Sequence, residues 1–253
     1  DIWDLEKELE ENSSNDIIET MDSAEPEILL NTIESSNIEN IIDSNPLEEN
    51  TIKIVGLYDP EENGLDIDLW TNSDGEEIKL ILNNINKMSL SKDAQEILEI
   101  ALLTNSYFPE KNITEEDFIN FKLNYLIKNN DLNLIKKYLI KNEKNIYNTP
   151  LIKFYINDYL ETADLENSCK IFDQIIYVKD DYVNKFKVYC LITKGNREEA
   201  QLIFDLIKEQ GSVDKFFENK FNFLMDYIDK TDEKVSDKNI LNLHLSHRTN
   251  PNF

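Results

Sequence analysis

The sequence has little glycine, proline, cysteine or histidine. Its 253 residues include 5 Gly, 6 Pro, 2 Cys and 2 His. Glycine is needed where the backbone must approach a phosphate closely, so we expect no glycine-rich cofactor loop. Two cysteines exclude a scaffold held by many disulfides and a four-cysteine zinc site. The sequence therefore predicts no cofactor and no metal site.

Positive charge is also scarce. The chain has 26 Lys and Arg against 51 Asp and Glu, a formal net charge of −25, which disfavours nucleic-acid binding. The longest near-continuous apolar run, residues 97–103, is interrupted by Glu99 and is too short to cross a bilayer. A hydrophobic fraction of 40%, with 12 Phe and 11 Tyr, is enough to build a core. We expect a folded, soluble part without a membrane span.

Residues suited to catalysis do not form a recognisable set. His244 and His247 are the only histidines, and the sequence indicates no third ligand that would complete a metal site with them. Neither cysteine has a histidine near it in the sequence, and the carboxylates are too numerous to distinguish a functional pair. We therefore predict no catalytic residues and a protein that is not an enzyme.

Charge and composition divide the chain into three parts. Residues 1–50 contain 16 Asp and Glu but one Lys, which predicts an acidic, mostly disordered tail. Residues 51–75 combine a short strand-like run with turn residues, which predicts an extended strap that Trp70 anchors to the first helix pair. Helical spacing then predicts a helical-repeat domain over residues 76–253, which we expect to continue beyond Phe253.

The first two helices follow from apolar residues spaced three and four apart. The two apolar faces are Ile78, Ile81, Leu82 and Ile85, followed by Ile97, Leu98, Ala101 and Leu102. Ser91 and Thr114 precede apolar helical patterns and are predicted N-caps of the second and third helices. These patterns predict an all-α fold.

An internal repeat appears in the second half. Three segments that begin at Asn130, Ala163 and Gly195, spaced 33 and 32 residues apart, align without gaps over ten residues. Repeats of about 33 residues that each begin with a turn and a polar first turn of helix are typical of stacked helical hairpins. The sequence therefore predicts a right-handed α-solenoid.

The third segment resembles the tetratricopeptide repeat (TPR) family. Gly195, Ala200 and Phe204 match the turn glycine, the small residue at the helix crossing and the large apolar residue of that family. The corresponding repeat-packing residues of the two earlier segments are Ser168 with Phe172, and Ile135 with Leu139. The resemblance covers about a third of the chain and implies a TPR-like solenoid that binds proteins.

Shorter stretches resemble an uncharacterised group of exported alphaproteobacterial helical-repeat proteins. They are Leu69-Trp70, residues 101–104, and Cys169 with Cys190. This resemblance implies export and carries no activity with it.

Cys169 and Cys190 lie on two elements that pack together in such an architecture. A disulfide between them is geometrically reasonable, and the alternative is two buried thiols that behave as small apolar groups. Since cytosolic thiols stay reduced, a bridge would place the protein in the periplasm or another exported space. A cytoplasmic location is the alternative.

The predicted function is that of a non-enzymatic scaffold for protein–protein interaction. A partner peptide or protein would bind in the groove of the solenoid, against aromatic residues such as Tyr155, Tyr159 and Phe186. One alternative is a structural subunit of a larger cell-envelope assembly, and another is an enzyme with an unrecognised carboxylate site. The partner's identity and the oligomeric state stay open.

Residues 118–144 are locally basic, with six Lys against Asp131 and Glu143, a balance of +4. The acidic tail would be attracted to a face made of these lysines, and the alternative is a helix face with solvated lysines. The six residues are Lys122, Lys128, Lys136, Lys137, Lys141 and Lys144.

Overall fold

The computed structural model of the protein describes residues 54–175 and 178–253. The predicted acidic tail and the first residues of the predicted strap lie outside the described residues. Within the described part the chain forms ten α-helices and one two-stranded sheet. The prediction of an all-α fold is confirmed for this part of the chain.

The helices follow one another with short connections, except after α2, α6 and α9. The helices are α1 Gly75–Ile85, α2 Lys92–Leu103, α3 Glu115–Asn129, α4 Leu132–Lys141, α5 Thr149–Glu161, α6 Leu165–Cys169, α7 Asp181–Thr193, α8 Arg197–Glu209, α9 Lys215–Leu224 and α10 Ile240–Thr249. The strands are β1 Ile54–Val55 and β2 Ser106–Tyr107. The hydroxyls of Ser91 and Thr114 accept hydrogen bonds from the first turns of α2 and α3, so both predicted N-caps are confirmed.

Helices α3 to α9 pack in two rows. In the first row, α3, α5, α7 and α9 contact one another in chain order. In the second row, α4, α6 and α8 each contact the first-row helix that precedes them and the one that follows. Fully buried apolar side chains such as Phe118, Ile135 and Phe186 fill the space between helices. The apolar side of each helix therefore faces its neighbours.

The three aligned segments share a backbone feature. Asn130, Ala163 and Gly195 have φ angles of 51°, 57° and 82°, in the left-handed region. The residue after each of them is the N-cap of α4, α6 or α8. The three helices therefore begin from the same turn, although only one segment has the glycine that this conformation favours.

The repeat-packing positions are mostly in the core. The residues five positions after the turn are fully buried, and those nine positions after it are buried or half-buried. In segment order they are Ile135 with Leu139, Ser168 with Phe172, and Ala200 with Phe204. Small or medium side chains at the first position allow close approach of the neighbouring helix.

The strap runs along the end of α2. β1 pairs antiparallel with β2, and the backbone N–H groups of Leu57 and Tyr58 both donate to the Leu103 carbonyl. A Cβ atom at Gly56 would lie 2.5 Å from backbone atoms of Thr104 and Asn105, so this close approach requires glycine. The described part of the strap is thus an ordered segment.

A buried lysine of α3 is hydrogen-bonded to the strap. The side chain of Lys122 is fully buried, and its Nζ donates to the carbonyl oxygens of Val55 at 2.5 Å and Thr104 at 3.2 Å. Burial lowers the pKa of Lys122 to about 7. The ring of Trp70 lies against Phe118 of the same helix, with centroids 5.6 Å apart. The strap is therefore anchored on α3.

The predicted buried faces of α1 and α2 are narrower than expected. Ile78 and Leu82 are buried, but Ile81 is 55% exposed and Ile97 is 69% exposed. The closest helix packing involves α3 to α10, so α1 and α2 lie at the margin of the core. None of the helices in the described part of the chain is long and apolar enough to cross a membrane.

Candidate docking face

The last helix packs back on the first row. α10 contacts α5 and α9, and the ring of His244 lies against Tyr189 of α7 with centroids 5.7 Å apart. Leu241 and Leu245, one turn apart, are each 1% exposed. We name the surface of α5, α7 and α9 that α10 covers the docking face. A helix of this chain therefore occupies it.

Two tyrosines of α7 contribute to the docking face. Tyr182 and Tyr189 are seven residues apart, two helical turns, and lie on one side of α7. The Tyr182 hydroxyl donates to Oδ1 of Asn157 on α5 at 2.5 Å, which links the two helices. Burial raises the pKa of each tyrosine to about 12, while the Leu241 backbone opposes this rise at Tyr182 and the Arg248 charge opposes it at Tyr189.

The hydroxyl of Tyr189 is buried without a hydrogen bond. The residue is 1% exposed, and its hydroxyl has no hydrogen-bond partner among residues 54–175 and 178–253. A buried hydroxyl left in this state costs about 1–3 kcal/mol. The contact with α10 thus covers the aromatic ring of Tyr189 but gives its hydroxyl no hydrogen-bond partner.

His244 meets Tyr189 as a half-buried imidazole. Burial is the main cause that lowers its pKa, and the positive charges of His247 and Arg248 lower it further. Desolvation disfavours the charged form of a histidine. The neutral imidazole is therefore the form that packs best on the docking face.

The segment between α9 and α10 is fastened to α9. Lys220, which is fully buried, donates to Oγ1 of Thr231 at 3.2 Å and to the Asp232 carbonyl at 2.6 Å, and pairs with Oδ1 of Asp232 at 3.2 Å. Oδ1 of Asn219 accepts from Oγ1 of Thr231 at 2.7 Å and from the Asp232 N–H at 3.0 Å. We name these four residues the latch.

Beyond the latch, the same segment covers the polar side of α10. The Ser236 N–H donates to Oγ of Ser246 at 3.0 Å, and Nδ2 of Asn242 donates to Oγ of Ser236 at 3.1 Å. Nδ2 of Asn250 donates to the Glu233 carbonyl at 3.3 Å. α10 is therefore held between the docking face and the segment that leads to it.

The aromatic residues predicted from the sequence to line a groove have other positions. Tyr155 and Phe186 are core residues, and Tyr159 is half-buried with its ring 5.0 Å from that of Tyr155. α5 is contacted by α3, α4, α6, α7 and α10, which leaves little of its surface open. Sequence reasoning missed Tyr182 and Tyr189, although their spacing of seven residues was a signal that they share a face.

Cys169 and Cys190 form a disulfide. Cys169 is the last residue of α6 and Cys190 lies in α7, and their Cα atoms are 5.5 Å apart. Both residues are buried. The bond ties the short α6 to the first-row helix that carries the two tyrosines of the docking face.

The six lysines of the predicted basic face do not form one solvated face. Lys122 is buried beneath the strap, and Lys141 donates to the Leu57 carbonyl at 2.7 Å. Lys128 donates to the Asn86 carbonyl at 3.1 Å. Lys136 is half-buried, and Lys137 and Lys144 are exposed. Three of the six therefore bind main-chain carbonyls of other segments.

Two neighbouring carboxylates line a cleft of about 550 Å³ between the start of α7 and the end of α8. Asp180 pairs with Lys153 at 2.6 Å and caps α7, and Asp181 accepts from Oγ of Ser212 at 2.6 Å. Both carboxylates thus have structural partners. Residues 54–175 and 178–253 contain no group of three His, Cys, Asp or Glu residues placed to hold a metal ion.

Comparison with protein-family models, with curated proteins and with solved structures gives no match for this chain. Its function must therefore be inferred from the geometry of its own residues.

Proposed function

We propose that the protein is a non-enzymatic scaffold that binds a partner protein through the docking face. The observation that carries this proposal is the packing of α10 on α5, α7 and α9, since it demonstrates that this surface accepts a helix. Recognition of an amphipathic helix uses apolar anchors one turn apart. Leu241 and Leu245 provide such a pair within the chain itself.

We further propose that helices α3 to α9 belong to a right-handed, TPR-like α-solenoid. The shared left-handed turn at Asn130, Ala163 and Gly195 supports this, as does the chain-order contact of the first-row helices. A solenoid presents one helix of each repeat on a continuous surface, which suits it to protein binding.

The proposed compartment is the periplasm or another exported space. The disulfide between Cys169 and Cys190 supports this location because disulfides persist in oxidising compartments.

A second candidate function is that of a structural subunit in a larger cell-envelope assembly. Exposed apolar side chains away from the docking face favour it, since Leu202 and Leu206 lie one turn apart on α8 and are both exposed. Contiguous exposed apolar groups mark interaction surfaces. In this case the partner would cover those residues.

Photo-cross-linking in cells of the source organism separates the two candidates. A photoreactive phenylalanine analogue replaces Tyr182 in the full chain, and a matched variant carries it at Leu202, which is 70% exposed on α8. We expect position 182 to give an internal adduct with α10 and one discrete adduct with another protein, and position 202 to give none. An adduct with another protein at position 202 alone would favour the assembly subunit. Absence of any intermolecular adduct from both positions would contradict a scaffold.

A further inference from the structure

Three features make α10 an incomplete occupant of the docking face. The hydroxyl of Tyr189 stays without a hydrogen bond beneath it among the described residues. His244 is half-buried there, close to the positive charges of His247 and Arg248. The latch lies on α9 and fastens the connecting segment at Thr231 and Asp232, several residues before α10 begins.

We propose that α10 is a replaceable occupant of the docking face, and that the partner is an amphipathic helix with leucines placed like Leu241 and Leu245 and a hydrogen-bond acceptor in place of His244. This inference rests on the proposed function and names its partner class. In sequence terms the partner helix contains Leu-x-x-Glu-Leu, or the same pattern with Asp, Asn or Gln in place of Glu.

The latch would keep α10 tethered to α9 after α10 leaves the docking face. A helix of ten residues has little stability of its own, so α10 unfolds or moves when it leaves its contacts. The latch would still hold Thr231 and Asp232 against Asn219 and Lys220 of α9. A tethered helix competes at a high effective concentration. A partner helix therefore displaces α10 only if it binds the docking face more tightly than α10 does.

The chemistry of position 244 supplies that better match. The imidazole of His244 presents its ring to Tyr189, and the tyrosine hydroxyl remains a donor without an acceptor. A carboxylate or amide oxygen at this position of the partner helix would accept a hydrogen bond from that hydroxyl. A carboxylate or amide side chain between the two leucines therefore distinguishes the partner from α10.

The test measures binding of labelled peptides to the full chain by fluorescence anisotropy. The probes are a peptide of residues 236–253 and the same peptide with His244→Glu or Leu245→Asp. The proteins are the unaltered chain, a Leu245→Ala variant and a matched Leu243→Ala variant, because Leu243 is 42% exposed on the same helix. We expect the unaltered peptide to bind the Leu245→Ala chain at least about tenfold more tightly than the other two chains.

On the Leu245→Ala chain, the His244→Glu peptide should bind about fivefold more tightly than the unaltered peptide, and the Leu245→Asp peptide should not bind. Equal affinity for all three chains, or no binding to a Leu245→Ala chain that keeps its helical circular dichroism, would overturn the proposal. A His244→Glu peptide that binds no more tightly would overturn the proposed partner chemistry.

Loss of the fold does not leave the test undecided. A Leu241→Ala chain removes the other anchor, and loss of helicity throughout both variants would overturn the proposal, since a replaceable occupant cannot be required for the fold. An intermolecular adduct from position 182 combined with failed peptide binding would leave the proposed function standing and remove this inference alone.

Discussion

Lys122 makes the free energy of unfolding depend on pH above neutrality, where few other side chains change their protonation. Its side chain is fully buried, and its Nζ is bound by the carbonyls of Val55 and Thr104. Burial lowers its pKa from 10.5 to about 7. Between these two values the unfolded chain binds more protons than the folded chain, so the free energy of unfolding rises with pH.

The expected size follows from the shift. Between pH 7 and pH 9 the folded lysine becomes neutral while the unfolded one stays charged, and the free energy of unfolding should rise by about 2 kcal/mol. In this window the lowered pKa of His244 keeps its imidazole neutral, and Cys169 and Cys190 are bonded to each other. The raised pKa values of the buried tyrosines keep them protonated. The slope therefore reports mainly on Lys122.

The assay is urea unfolding followed by far-ultraviolet circular dichroism at pH 7, 8 and 9. A Lys122→Met variant keeps the apolar stem and should lose the slope, although it removes the hydrogen bonds from Nζ to the Val55 and Thr104 carbonyls and is less stable at pH 9 by about 1–3 kcal/mol. Lys220→Met is the matched control, because Lys220 is equally buried but pairs with Asp232. It should retain the slope. A flat profile in the unaltered chain, or an undiminished slope in Lys122→Met, would refute the reasoning.

Three further predictions concern other parts of the fold. Reduction of the Cys169–Cys190 bond, which closes a loop of 21 residues, should lower the free energy of unfolding by roughly 3 kcal/mol, and a Cys169→Ala/Cys190→Ala chain should not respond to reductant. Ala163→Gly should raise the free energy of unfolding by about 1 kcal/mol, because Ala163 has a φ of 57°, whereas Gly195→Ala should lower it. Because the pKa of His244 is lowered in the folded chain, the melting temperature should fall as pH decreases from 6.5 and then level off, and His244→Gln should reduce that decrease. An unchanged melting profile in that variant would contradict the role given to His244.

Local signals in the sequence were sufficient to predict helix N-caps and the turns that precede helices. Ser91 and Thr114 were identified as N-caps from residue type and position alone, because a capping hydroxyl acts within its own turn. The alignment of Asn130, Ala163 and Gly195 predicted equivalent turns, and all three residues share the left-handed conformation. Short-range geometry is therefore encoded in short stretches of sequence.

Burial depends on distant parts of the chain and was harder to predict. Ile81 and Ile97 have the spacing of buried residues but are exposed, because α1 and α2 lie at the margin of the core. Lys122 has a residue type typical of surfaces, yet the strap covers it. The docking of α10 brings His244 to Tyr189 across 55 residues of sequence, and no local pattern specifies such a contact.

Hydrogen exchange of backbone amides in the full chain, at neutral pH without denaturant, tests most directly whether α10 is replaceable. The amides of residues near Leu245 in α10 should exchange through an opening that costs clearly less free energy than the opening that exposes the amides around Tyr189 in α7. The amides around Lys220 in α9 should stay protected with those of α7, because the latch would still hold the connecting segment on α9 when α10 leaves. Exchange of α10 and α7 through one common opening would show that α10 is a permanent part of the core, and would contradict the account.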